Sequence, residues 1–115
     1  MIVTVKLALA SICFLNQCYP ALVGEATPSG HYQLQRRYVL TEGYGGNVIQ
    51  FQDSEKGVLA IHRIWLGNPS QKRLERIASP EPQDRRNVSD GCINVAPEVF
   101  DQLWSCCSRG ILVIR

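Results

Sequence analysis

Cys92 lies in the run Arg86-Asn87-Val88-Ser89-Asp90-Gly91-Cys92-Ile93-Asn94-Val95, directly after a glycine. Glycine lets the backbone bend sharply and present the side chain that follows. Ile93 and Val95 alternate with Asn94, as in a half-buried strand. A thiol on a short turn braced by β-structure is where a nucleophile for acyl transfer is expected. The thiolate is the attacking form, so Cys92 needs a base or a cation beside it. The chain has two histidines, His31 and His62. His31 follows a turn and reads as a surface strand end. His62 closes the apolar run Val58-Leu59-Ala60-Ile61, 30 residues before Cys92. By itself a strand-end histidine is more often structural; its place ahead of the connection to Cys92 makes it the candidate general base. The N–H groups of Gly91 and Cys92 are candidate donors to a developing oxyanion. Asn94 is expected to donate there or to order the turn, and Ser89 to bond the turn backbone or orient His62. Asp90 would raise the thiol pKa unless it is paired, with Arg85 or Arg86 as the nearby cations. Tyr32 and Trp65 are candidate substrate walls, against the general tendency of aromatics to be core.

These residues need a scaffold, and 115 residues provide one domain at most. A hydrophobic share of 45% with 19% charged residues is that of a folded protein, not a disordered one. A net charge of +2, with no basic stripe interleaved with aromatics, argues against nucleic acid as a partner. Five cysteines, with no CxxC and no zinc-ligand spacing, leave at least one thiol free in a monomer, and Cys92 is the candidate. Cys106 and Cys107 are neighbours, and the geometry of a disulfide disfavours a bond between them.

Residues 1–26 admit two readings. Leu7–Leu15 after Lys6 resembles the apolar region of a secretory signal, without a small-residue cleavage site. It also reads as the beginning of the domain, with a first strand at Ile2–Val5. Thr27-Pro28-Ser29-Gly30 is a turn. Alternation predicts a strand over His31–Leu40, and two more over Asn47–Gln52 and Gly57–His62 around a polar hairpin loop. A short charged helix is expected at Gln71–Ile77, with Leu74 and Ile77 facing inward. Ala78–Arg86, with two prolines, reads as loop. Pro97-Glu98 starts a helix whose stripe is Val99, Phe100, Leu103 and Trp104. Ile111–Ile114 reads as a closing strand buried on both faces.

Ser89-Asp90-Gly91-Cys92-Ile93-Asn94 resembles the signature of the L,D-transpeptidases, the YkuD-like family: Ser/Thr-His-Gly-Cys-x-Asn/Arg, with a catalytic histidine upstream. Thr27-Pro28-Ser29-Gly30 resembles the family's turn before the strand that enters the catalytic sheet. The resemblance covers residues 27–95 and implies a mainly β catalytic domain with short helices, N-terminally abbreviated, over residues 27–115. It implies Cys92 as nucleophile, His62 as general base and acid, and Gly91, Ser89, Asn94 and Asp90 as oxyanion and turn support. Asp90 departs from the pattern, standing where the family has histidine. The implied reaction is acyl transfer from a peptidoglycan stem tetrapeptide to an amine, with release of D-alanine, outside the cytoplasmic membrane. It uses no metal or other cofactor, and carbapenems acylate such enzymes. A hydrolase using the same pair and an inactive cell-wall binding module are the alternatives. Acceptor, preferred stem peptide and oligomeric state are not legible.

Overall fold

The computed structural model describes residues 1–115. Nine strands form two sheets. The first has the order β3-β2-β1-β9-β4 and the second β5-β6-β7-β8. Their ranges are β1 Ile2–Lys6, β2 Ser11–Phe14, β3 Gln17–Pro20, β4 Gly30–Gln33, β5 Gln35–Tyr38, β6 Asn47–Ser54, β7 Gly57–Arg63, β8 Ile93–Val95 and β9 Ile111–Ile114. Two α-helices, α1 (Arg73–Ala78) and α2 (Pro97–Cys107), complete the fold. The result is mainly β with few short helices, as expected from the sequence.

Residues 1–26 supply three strands, where the sequence suggested one. Alternation carries Val3, Val5, Ile12 and Phe14 into the core. Phe14 faces Gln17 across a two-residue loop, Leu15-Asn16, with positive φ at both positions. That is the backbone a tight hairpin requires, and asparagine tolerates it well. The apolar stretch that resembled a secretory signal thus forms a turn and β2. β1 runs parallel to β9 at the centre of the sheet.

The strand expected over His31–Leu40 is two strands in different sheets. β4 pairs with β9 and β5 pairs with β6. The chain changes sheets at Leu34, which is buried and donates its N–H to Gly110 O. Alternation runs through the corner unbroken, so only the change of pairing partner reveals it. β9 was expected to be buried on both faces. Instead Leu112 and Ile114 are buried and Ile111 is exposed. β6 and β7 form the expected hairpin around Glu55-Lys56, with a bulge between Gln50 and Gln52. α2 buries Val99, Phe100 and Leu103, the expected stripe, with Trp104 only partly buried beside it.

Two disulfides form. Cys13–Cys18 joins partners on β2 and β3. Cys106–Cys107 joins the neighbours that were expected to stay apart. They occupy the last turn of α2, where the backbone leaves the helical ladder. No other free cysteine remains but Cys92.

Candidate active site

β7 and β8 run parallel, with His62 opposite Asn94 and Ile61 opposite Ile93. Cys92 is the residue just before β8, and its side chain shares a cavity of about 170 Å³ with that of His62. Tyr44, Arg37, Val58 and Ala60 also line it. The two residues singled out from the sequence are therefore brought to one cavity by a parallel pairing that closes across the 64–92 connection.

The turn that presents Cys92 is tied down from several sides. Ser89 Oγ donates to Cys92 O at 2.5 Å and accepts from Gly91 N–H at 3.3 Å. Ser89 thus bonds the turn backbone, one of its two expected roles, and makes no bond to His62. Gly91 has φ +133°, closed to most other residues, and an added Cβ would lie 3.0 Å from Leu59 Cδ2. Thr27 Oγ1 donates to Gly91 O at 3.0 Å and accepts from Gly24 N–H at 2.9 Å. The Thr-Pro-Ser-Gly turn and the Gly-Cys turn, far apart in sequence, thus meet directly. Residues 21–24 cover the other edge of β8: Leu22 and Asn94 exchange backbone hydrogen bonds, both 2.9 Å. Gly24 passes so close to Ser89 that a Cβ would lie 2.1 Å from its carbonyl oxygen.

His62 is buried, and its Nδ1 lies 2.6 Å from Arg63 O. A carbonyl only accepts, so Nδ1 carries the proton and Nε2 keeps the lone pair. Tyr44 packs edge-on against the ring, centroids 4.6 Å apart. Arg63 holds the Tyr44 loop by donating to Tyr44 O and Asn47 Oδ1. Burial lowers the His62 pKa to about 4; the bond to Arg63 O opposes this and the Arg73 charge adds to it. The imidazole is neutral at neutral pH. Burial raises the Cys92 pKa, Asp90 adds to the rise, and the Ala60 backbone and Arg73 oppose it. The resting pair is thus a thiol and a neutral imidazole, and a base is needed to generate the thiolate.

Asp90 is exposed and pairs with neither Arg85 nor Arg86, so its charge is left to act on the thiol. Arg85 is buried and spends its guanidinium on the carbonyls of Leu9, Ala10 and Ser79. Asn94 is fully buried. Its Oδ1 accepts from Trp65 N–H at 3.1 Å and from Arg73 Nη1 at 2.9 Å, and its Nδ2 has no partner. Tyr32 and Trp65 do not wall the Cys92 cavity. Tyr32 bonds the carbonyls of Pro28 and Ser29, and Trp65 lines a separate cavity.

Arg73 and Tyr44 are neighbours of the site that sequence reading missed. Leu74 and Ile77 were expected to face inward from a helix over Gln71–Ile77. The α-helix begins instead at Arg73, after Lys72 in a left-handed conformation (φ 52°). Within it Arg73 is buried and Leu74 is 54% exposed, while Ile77 packs against the Leu22–Ile64–Val88 cluster. The loop read at Ala78–Arg86 contains a 3-10 turn at Pro82–Arg85. No cluster of three or more His, Cys, Asp or Glu could hold a metal. No helix is long and apolar enough to cross a membrane.

The family model of the YkuD L,D-transpeptidase catalytic domain matches residues 15–114. No curated protein matches in sequence. Among solved structures, an L,D-transpeptidase from Mycobacterium smegmatis superposes with a TM-score of 0.62 at 17% identity, covering 99% of this chain and 58% of that one. A mutant of the Enterococcus faecium L,D-transpeptidase superposes at 0.63 and 16%, covering 98% and 48%. An L,D-transpeptidase from Xylanimonas cellulosilytica gives 0.61 and 14%, covering 99% and 59%. The chain thus spans about half to three-fifths of the length of these structures, and at such identities the likeness carries the fold alone. With a family match across nearly its whole length and the corresponding two-sheet fold, the chain belongs to the YkuD family of L,D-transpeptidase catalytic domains.

Proposed function

We propose that this domain is a peptidoglycan L,D-transpeptidase whose nucleophile is Cys92 and whose general base is His62. The observation that carries the reading is the shared cavity: the one free thiol and a neutral, buried imidazole with Nε2 unprotonated both line it. His62 Nε2 takes the thiol proton as sulfur attacks the carbonyl before the terminal D-alanine of a stem tetrapeptide. The C–N bond breaks, the proton passes from His62 to the departing D-alanine amine, and a thioester remains on Cys92. An amine on a second stem then attacks the thioester. His62 accepts its proton and returns it to the sulfur, regenerating the thiol. The Cys92 N–H is the oxyanion donor of this reading, because Gly91 N–H is already given to Ser89 Oγ.

Residues 1–26 belong to the working domain, since residues 21–24 hold β8 and the Ser89 turn. The two disulfides suit an oxidising, extracytoplasmic setting.

Intact-protein mass spectrometry after exposure to a carbapenem tests the assignment. Wild type should gain one covalent adduct and Cys92→Ala none, while His62→Gln should acylate roughly 10²-fold more slowly and His31→Gln at the wild-type rate. An adduct on Cys92→Ala, or an unchanged rate in His62→Gln, would remove that residue from the mechanism. Product analysis with a stem tetrapeptide, with and without an added amine, distinguishes transfer from hydrolysis.

A further inference from the structure

One side chain, that of Arg63, joins the body of the protein to the loop that covers His62. Successive residues of a strand point to opposite faces, so His62 and Arg63 leave β7 on opposite sides. The loop between β5 and β6 grips both. The Tyr44 ring packs on the His62 ring, and Tyr44 O accepts from Arg63 Nη1 at 3.0 Å. The same nitrogen donates to Asn47 Oδ1 at 2.7 Å, where the chain enters β6. The bond to Tyr44 O is the only hydrogen bond made by any of residues 40–45. A Cβ on Gly45 would lie 2.7 Å from Arg63 Nη1, so the loop rests directly on the guanidinium. The guanidinium has a seat of its own. It stands over the Phe100 ring of α2, 4.2 Å from the centroid, and Phe100 is wholly buried. Its Nη2 also pairs with Asp101 at 3.3 Å, but that carboxylate is 71% exposed, and an exposed pair adds little. α2 thus seats the guanidinium, and the guanidinium holds the loop.

We propose that the Arg63 side chain is a positioning residue for the reaction: it pins the Tyr44 loop over His62 and so keeps water from the imidazole. That His62 is the base rests on the transpeptidase reading; the clamp on the ring does not. Burial is the largest influence on His62 and lowers its pKa to about 4, with the bond to Arg63 O opposing and the Arg73 charge adding. The other titratable or charged groups about the ring are Tyr44, Arg37 of β5 and Cys92 in the shared cavity, and Asp90 in the turn beside Cys92. A loop held by one hydrogen bond moves away when that bond is lost. Water then reaches the ring, and its pKa returns toward the ordinary 6.5. Below that value the imidazole carries a proton and cannot take one from the thiol. Arg63 therefore serves the base twice: its carbonyl fixes the proton on Nδ1, and its side chain keeps the cover in place.

NMR titration of the two histidine rings in the full chain reads the clamp without any turnover, with His31, exposed on β4, as the internal reference. Arg63→Gln should raise the His62 pKa by about one to two units, the scale of restoring water to a buried group. Gly45→Ala keeps the Arg63 charge but crowds the guanidinium from the loop side, so it should raise the pKa in the same direction. It also guards against an Arg63→Gln chain that fails to fold. Carbapenem acylation of Cys92 between about pH 5 and about pH 7 should be nearly flat in wild type and fall several-fold toward the acid end in both variants, as the base becomes protonated. The clamp requires the rise in each variant that folds. A His62 pKa unchanged in either folded variant overturns it; a rise in Arg63→Gln alone would mark the loss of a charge and not of the cover. If the pKa rises in both while the acylation profile stays flat, the assignment of His62 as base fails and the clamp on the ring stands.

Discussion

The two sheets use the same alternation for different ends. In the five-stranded sheet one face is dry: Val3, Val5, Ile12 and Leu112 are wholly buried, while Thr4, Lys6, Ser11 and Cys13 on the other face keep contact with solvent. Where the end of β7 meets β8 both faces are dry. Ile61 and Ile93 fill the core face, and His62 and Asn94 are buried on the other. Segment 21–24, the Tyr44 loop and the 64–92 connection cover that second face. The first sheet stabilises the fold by burying apolar area. The second spends buried positions on polar groups, each held by a hydrogen bond except Asn94 Nδ2. Loss of water on that face moves the His62 and Cys92 pKa values, and so sets the resting protonation states of the two groups.

This contrast can be broken in a graded way. Ile12→Ala should cost about 2–5 kcal/mol of stability, the range for truncating a buried aliphatic residue. It should leave the acylation rate of the folded fraction at the wild-type value, because Ile12 lies in the sheet without a site. Chemical denaturation and carbapenem acylation, measured side by side, check this. A fall in rate per folded molecule would mean the two sheets do not act separately.

Acid should act on the other sheet. His62 has a folded pKa of about 4 against an ordinary value of 6.5. Between these values the unfolded chain holds the proton that the folded chain refuses, so stability falls as pH drops from about 6.5 to about 4. The loss is on the order of 3 kcal/mol. Urea denaturation at stepped pH should show it in wild type, and His62→Gln should lack that part of the slope. Parallel slopes would mean that burial of His62 is not what makes the protein acid-sensitive.

The smallest effect is expected at Asp90, which is exposed at the rim. Removing its charge in Asp90→Asn should lower the Cys92 pKa slightly and speed alkylation near neutral pH. The pH profile of Cys92 alkylation measures this. A thiol pKa that rises instead would make Asp90 an orienting hydrogen-bond acceptor rather than a source of field.

The local sequence was enough to read the Gly-Cys turn, the hairpin at Glu55-Lys56, the α2 stripe and the candidates Cys92 and His62. Each rests on residues close together in the chain, where glycine geometry and periodicity act directly. The tertiary structure decided what depends on distant partners. Alternation continues through Leu34, so it could not show the chain changing sheets there. The positive-φ turn at Leu15-Asn16 comes only at the end of an apolar run, so the run also read as a signal. In α1, Arg73 rather than Leu74 is the buried side chain, because the docking of the helix and not its own periodicity chooses the inward face. Thr27 and Gly91 meet because residues 21–24 and β8 pair across the molecule. Side-chain chemistry is a property of single residues and survives in the sequence. Burial, which sets pKa values and leaves donors unmet, is a property of the packed whole.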